Sequence, residues 1–171
     1  MEAPVEWKPV TIEPLDKGHW EKVKQIYESG IATGIATFET QAPTWEKWTL
    51  AHLKFGRLVA IQDKKVVGWA ALSPVSDRCV YGGVAEVSVY VDPLFKGQGI
   101  GKRLLRSLIA ESEENGIWTL KASIFSENEP SHRLHQGVGF RVIGYRERIG
   151  KLWGEWKNNI LLERRSSTTG T

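Results

Sequence analysis

With 171 residues, 41% of them hydrophobic and 25% charged, the chain is long enough to bury one core and too short to suggest two. Its net charge of +3, with acids and bases interspersed, excludes the concentrated basic face of a nucleic-acid reader and favours a small anionic ligand instead. Its single cysteine excludes an internal disulfide, and four scattered histidines offer no zinc spacing, so no metal is expected.

No apolar run approaches the ~20 residues of a membrane helix, and the opening MEAPVEWKPV carries acids and no apolar block. A cytoplasmic protein without membrane contact is expected. VTIE (10–13) reads as a short strand. Asp16 precedes Trp20, Val23, Ile26 and Tyr27, the pattern of a capped amphipathic helix. Residues 31–40, IATGIATFET, read as a loop. Thr44 is placed to cap a second helix carrying Trp45, Trp48, Leu50 and Leu53. LVAIQ (58–62) and VVGWAALSP (66–74), separated by Asp63-Lys64-Lys65, form a hairpin signal.

A strand is predicted over 84–91 and a helix over 99–114, stopped by Asn115-Gly116. LKASIF (120–125) is a further strand, and Pro130 opens a short helix to about Gly137. RVIGYRER (141–148) and WKNNILLE (156–163) close the domain, 1–165, as strands. The small, polar segment SSTTGT (166–171) is expected to fray. A helix between strands 84–91 and 120–125 makes that pair parallel inside an α/β domain.

The stretch VDPLFKGQGIGKRLL sets Gly97, Gly99 and Gly101 at the junction of a strand and a helix. The first N–H groups of a helix lack internal partners and carry the positive end of its dipole, and glycine lets a phosphate approach them. A tight turn without a ligand would also use glycine, but three alternating glycines among Lys96, Lys102 and Arg103 point to a phosphate. A dinucleotide fingerprint fails, because its third glycine falls where Lys102 stands and Lys121 stands on the next strand in place of an acid. A nucleotide P-loop fails at Lys96 and Arg103, where it needs a glycine and a hydroxyl.

Lys96-Gly97-Gln98-Gly99-Ile100-Gly101 resembles the pyrophosphate loop, [QR]-x-x-G-x-[GA], of the GCN5-related N-acetyltransferase (GNAT) superfamily, with Lys96 keeping the charge of the usual first residue. Asn128-Glu129-Pro130-Ser131 through Gly139-Phe140 resembles that family's second segment, and the element order fits from about residue 8 to 163. The resemblance implies a mixed, largely antiparallel central sheet flanked by helices, with its parallel pair splayed at the fourth and fifth strands. It also implies acetyl-CoA as co-substrate. The coenzyme would be held by Ser88, Val89, Val91, the run Lys96, Gly97, Gln98, Gly99, Ile100, Gly101 and Lys102, and by Asn128 and Ser131.

Within the superfamily, IATFET (35–40), Ala85-Glu86-x-Ser88-x-Tyr90-Val91, NEPSHRLHQGVGF (128–140) and Gly154-x-Trp156 are similar to the phosphinothricin and methionine sulfoximine acetyltransferases. Asn158 stands where that subfamily has an Asp. The resemblance implies a homodimer acting on the α-amine of a small amino-acid-like acid, with Phe38, Arg78 and Tyr81 as substrate contacts.

An alkyl amine with a pKa near ~10 must lose a proton before it attacks. Alternation places Glu86, Ser88 and Tyr90 opposite Ala85, Val87, Val89 and Val91, so Glu86 is a lone mid-strand acid. The resemblance makes it the base. His135 holds the register of a tyrosine that many members use to protonate the leaving thiolate, which makes it the candidate acid. Other acceptors stay open — a polyamine, an aminoglycoside, a protein N-terminus — as does a non-catalytic coenzyme-binding module. Glu86 argues against the module and Arg78 against a polyamine.

Overall fold

The computed structural model describes residues 3, 4 and 6–171. In chain order the elements are β1 (Val10–Pro14), α1 (Trp20–Ala32), α2 (Trp45–Ala51), β2 (Leu58–Gln62), β3 (Lys65–Pro74) and β4 (Val84–Val91). They continue with α3 (Ile100–Glu114), β5 (Thr119–Phe125), α4 (Glu129–Gln136), β6 (Arg141–Leu152) and β7 (Glu155–Arg165). The seven strands of the described residues form one sheet in the order β1-β2-β3-β4-β5-β7-β6. All neighbours are antiparallel except β4 and β5. The mixed, largely antiparallel sheet of the sequence reading is therefore present, and its helix-connected pair is the parallel one.

Local signals act where they stand. Asp16 and His19 close a reciprocal capping box on the turn that leads into α1. Thr44 Oγ1 accepts from Lys47 N at 3.3 Å and starts α2. Asp63 and Lys64 at φ 49 and 62 supply the two left-handed residues of the tight β2–β3 turn.

Two cores sandwich the sheet. On one face Leu104, Leu105 and Leu108 of α3 pack on Ala70, Leu72, Ala85, Val87, Leu120, Ala122, Ile124 and Leu162. On the other, Val23 and Ile26 of α1 and Trp48 of α2 pack on Val59, Trp69 and Ala71. Among the helices that reach β4, α1 covers the face that carries Glu86, Ser88 and Tyr90, because Tyr90 and Tyr27 belong to the second cluster.

The parallel pair is short. β4 meets β5 only at Val84↔Thr119, Ala85↔Leu120 and Glu86↔Lys121. From Val87 to Val91, β4 keeps its partner on β3 and has none on β5. The strands therefore splay from the rung of Glu86 onward, as the family resemblance implied.

The C-terminal segment, expected to fray, is held by hydrogen bonds to the domain. Arg165 donates to the carbonyls of Thr169 at 2.9 Å and Gly170 at 2.7 Å. Thr169 Oγ1 donates to Glu113 O at 3.1 Å, and Ser166 is buried. A guanidinium with five donors gathers carbonyls that a polar composition alone would leave to water.

Candidate active site

The splay opens a cleft of about 510 Å³, lined by β4 from Glu86 to Val91, β5 from Ala122 to Phe125, and the start of α4. The α1–α2 loop forms its third wall through Thr33 and Ile35–Phe38.

At the wide end, β4 runs into a turn at Pro93–Phe95 and then the glycine stretch. Asp92, buried and unremarked in the sequence reading, accepts from Lys22 Nζ at 2.9 Å and Leu94 N at 3.0 Å. Its signal was an Asp directly before a Pro, a common start for a turn. Gly97 and Gly99 have φ of 78 and 73, and a Cβ built on either meets nothing within 4 Å. Gly99 is the N-cap of α3 with no side-chain cap, so the first N–H groups of that helix face an open cradle. Lys96 lines the cleft beside it. A pyrophosphate fits this donor set: free helix N–H groups, space above two glycines and one ammonium.

Not every residue of that stretch faces outward. A Cβ on Gly101 would lie 3.2 Å from Leu134, so this glycine lets α3 approach α4. Gln98 Oε1 accepts from Gln62 Nε2 at 3.0 Å, Ile100 is buried in the core, and Lys102 is exposed. Gln98 and Ile100 can serve a ligand only through their backbone. Arg103 donates to Val10 O and thereby anchors β1.

At the narrow end, Glu86 is half-buried at the last rung shared by β4 and β5. Ser88, Val89 and Val91 follow it along the free edge of β4, whose backbone groups have no ladder partner on the cleft side. Tyr90 stacks on Trp69 at 4.9 Å and meets Tyr27 edge-on at 5.0 Å. Burial, with Tyr27 and Glu39 nearby, holds its hydroxyl well above the ordinary tyrosine range despite Thr37.

Asn128 caps α4 and also reaches across the cleft wall. Its Nδ2 donates to Ile35 O at 3.2 Å, and its Oδ1 accepts from Ser131 N at 3.4 Å. His135 is 5% exposed, with Nδ1 2.7 Å from Ser131 O and its ring edge-on to Phe140. A carbonyl only accepts, so Nδ1 carries the hydrogen. Burial pulls the imidazole below its ordinary value, only partly offset by that bond, and His132 adds to the fall. Burial thus disfavours the charged ring, and its Nδ1 hydrogen is committed to Ser131 O.

Phe38 lines the cleft and packs on Phe125 with ring centres 4.6 Å apart. It is held against the β6–β7 hairpin, where a Cβ on Gly150 would come within 3.0 Å of its ring. Arg78 and Tyr81, expected beside it, do not line the cleft of this chain. Both are exposed in the β3–β4 connection, with the guanidinium 5.8 Å above the Tyr81 ring. Asn158 Oδ1 accepts from Arg148 N at 2.8 Å and braces β6, a bond an Asp would make equally well. The sequence reading missed Asn159, which lines the cleft. Among the described residues no cluster of His, Cys, Asp and Glu could hold a metal ion.

Residues 20–140 match the acetyltransferase (GNAT) family. The chain belongs to that family. It is an acetyl-CoA-dependent N-acetyltransferase, and the splayed pair is the mark of its fold. Over 149 residues this acetyltransferase is 34% identical to a phosphinothricin N-acetyltransferase of Alcaligenes faecalis, covering 83% of this chain and 75% of the relative. A GNAT superfamily phosphinothricin acetyltransferase from Sinorhizobium meliloti, solved in complex with acetyl-CoA, superposes with a TM-score of 0.85 at 25% identity, covering 94% of this chain and 90% of that one. A ribosomal-protein-alanine N-acetyltransferase from Brucella melitensis gives 0.85 at 27% identity, covering 91% and 99%. The acetyltransferase therefore has relatives named for free amino-acid analogues and for a protein's alanine.

Proposed function

We propose that this acetyltransferase moves acetyl from acetyl-CoA directly to the α-amine of a small amino-acid-like acid such as phosphinothricin or methionine sulfoximine. The observation that carries the proposal is Glu86, an acid that lines the cleft at the rung where β4 and β5 part. Relatives named for such acceptors support it. Bound acetyl-CoA supplies an activated acetyl thioester. The glycine stretch and Lys96 hold its pyrophosphate, and the free edge of β4 from Ser88 to Val91 pairs with its amide arm. Glu86 accepts the proton of the incoming ammonium, directly or through one water. Unpaired N–H groups of β4 stabilise the oxyanion that forms on the carbonyl.

His135, expected as the acid, has its Nδ1 hydrogen committed to Ser131 O, and burial disfavours the charged ring that would donate readily. It positions Ser131 and the start of α4, and protonation of the leaving thiolate falls to solvent. Arg78 stays the candidate reader of the acceptor's anionic group. Its guanidinium is exposed, it forms no ion pair among the described residues, and its connection leads into the strand of Glu86. A homodimer is part of the proposal, on the strength of Val142, Tyr145, Ile149, Trp153 and Trp156, all exposed on one hairpin. Sedimentation velocity showing only monomer would remove that part.

The deciding experiment is an acceptor screen with acetyl-CoA and a thiol readout. It compares phosphinothricin, methionine sulfoximine, common amino acids, their amides and a peptide beginning with alanine. Free acids should be acetylated best, and Arg78→Ala should cost acids about 10- to 150-fold in kcat/KM while leaving amides nearly unchanged, the size of one charged hydrogen bond. A preference for the peptide or for polyamines would refute the acceptor named here.

A further inference from the structure

β7 carries an unusual pair of buried polar side chains, Lys157 and Asn159, each 8% exposed. Both alternate with Ile160 and Leu162, which pack on the α3 side of the sheet. They therefore lie on the opposite face, the face of Glu86. Lys157 is accounted for: its Nζ lies 2.6 Å from Glu127 Oε1. Asn159 is not. It lines the cleft, yet its Oδ1 is shut from solvent and has no hydrogen-bond partner among the described residues. A buried acceptor left without a donor is destabilising. A native chain seldom keeps one without a ligand, water or functional reason.

The surroundings say on which side of the reaction this amide stands. Asn159 sits directly opposite Phe125 on β5. The ring of Phe125 meets Phe38 from the α1–α2 loop. The coenzyme cradle lies elsewhere, at the far end of β4 and the first turn of α3. Asn159 thus faces a pocket walled by two phenylalanine rings, on the face from which Glu86 projects. The missing partner is a hydrogen-bond donor. An amine acceptor brings N–H donors, and Glu86 removes one of its protons while others remain.

We propose that Asn159 is a specificity-determining residue whose side-chain amide oxygen accepts a hydrogen bond from the acceptor's amine and holds that nitrogen in the cleft. The inference rests on the acceptor being an amine that enters on this face, and does not depend on its being an amino acid. A half-turn of the amide about its last bond exchanges its oxygen and nitrogen. The polar group is thus kept at a cost to stability and serves only when the acceptor arrives.

The experiment compares the wild type with Asn159→Leu and Asn159→Asp on whichever primary amine the screen finds best. Asn159→Leu, close in volume and free of the unpaired oxygen, should melt at or above the wild-type temperature and bind acetyl-CoA with unchanged affinity. Its KM for the amine should rise about 10- to 100-fold with a smaller change in kcat. Asn159→Asp keeps an oxygen in place and should hold KM within about threefold of wild type. An unchanged KM in Asn159→Leu overturns the proposal. So does a lower melting temperature with weakened acetyl-CoA binding, which would mark a structural or coenzyme-side amide. If only peptides or polyamines are acetylated and Asn159→Leu loses them, the amino-acid reading falls and the role of Asn159 stands. If the wild type acetylates no amine, both fall.

Discussion

Glu86 owes its position to one register. It is the last residue of β4 with a partner on both sides, Ser73 on β3 and Lys121 on β5. A residue further along would face only the open edge, and one before it would be closed in. Glu86→Gln should keep acetyl-CoA affinity, measured by calorimetry, while kcat falls about 10²–10⁴-fold, the usual loss for a general base. Raising the pH toward the acceptor's own pKa should recover part of the rate, because more amine is then neutral without help. A mutant that turns over near the wild-type rate at neutral pH would remove Glu86 from the reaction. The glycines, alike in the sequence, separate in the structure. Gly99→Val forces a branched side chain to φ 73 over the helix N-terminus and should weaken acetyl-CoA binding tenfold or more. Gly101→Val drives instead into Leu134 and should lower the melting temperature. Equal effects of the two on binding and melting would show that the cradle is not where the free N–H groups place it.

At the scale of elements, the cleft wall that carries Phe38 is assembled from three pieces. The α1–α2 loop supplies Phe38, β5 supplies Phe125, and the β6–β7 hairpin backs them both. Trp153 closes the same contact one turn away, its ring 3.0 Å from where a Cβ on Gly34 would stand. The loop thus takes its shape from a hairpin more than a hundred residues later. Gly150→Val should push Phe38 toward the cleft, raising KM for the acceptor several-fold with the acetyl-CoA dissociation constant unchanged. Parallel losses in both constants would mean that the hairpin supports the whole cleft instead of one wall. The first two helices needed no such help: caps at Asp16 and Thr44 lie in the sequence where the structure uses them. β6 was harder to bound. It runs four residues past the predicted end, to Leu152, because β7 continues to pair with it across two irregular registers.

For the whole molecule, the half-buried His52 and the buried His135 contribute to the response to acid. His52 and His135 are both held below the ordinary histidine range, chiefly by burial. Their folded pKa values lie under the unfolded value of 6.5, so below that pH the unfolded chain binds more protons than the folded one. Their stabilisation is whole above about pH 6.5 and is lost as the pH falls through the folded values. The melting temperature should therefore drop between pH 7 and 5, and less steeply in His135→Gln. Identical slopes would show that His135 is not held neutral. The sequence by itself determined the order of elements, the parallel pair and the glycine-lined start of α3. These rest on local physics, since a strand, a positive-φ glycine and the unpaired N–H groups of a helix start lie within about ten residues. Only the tertiary structure decided which side chains meet at the Glu86 end of the cleft. Phe38, Glu86, Phe125 and Asn159 come from four separate segments, and no local pattern says which will share a cleft. The same holds for the proton of His135 and the unpaired oxygen of Asn159, because whether a polar atom is satisfied depends on what folding brings against it.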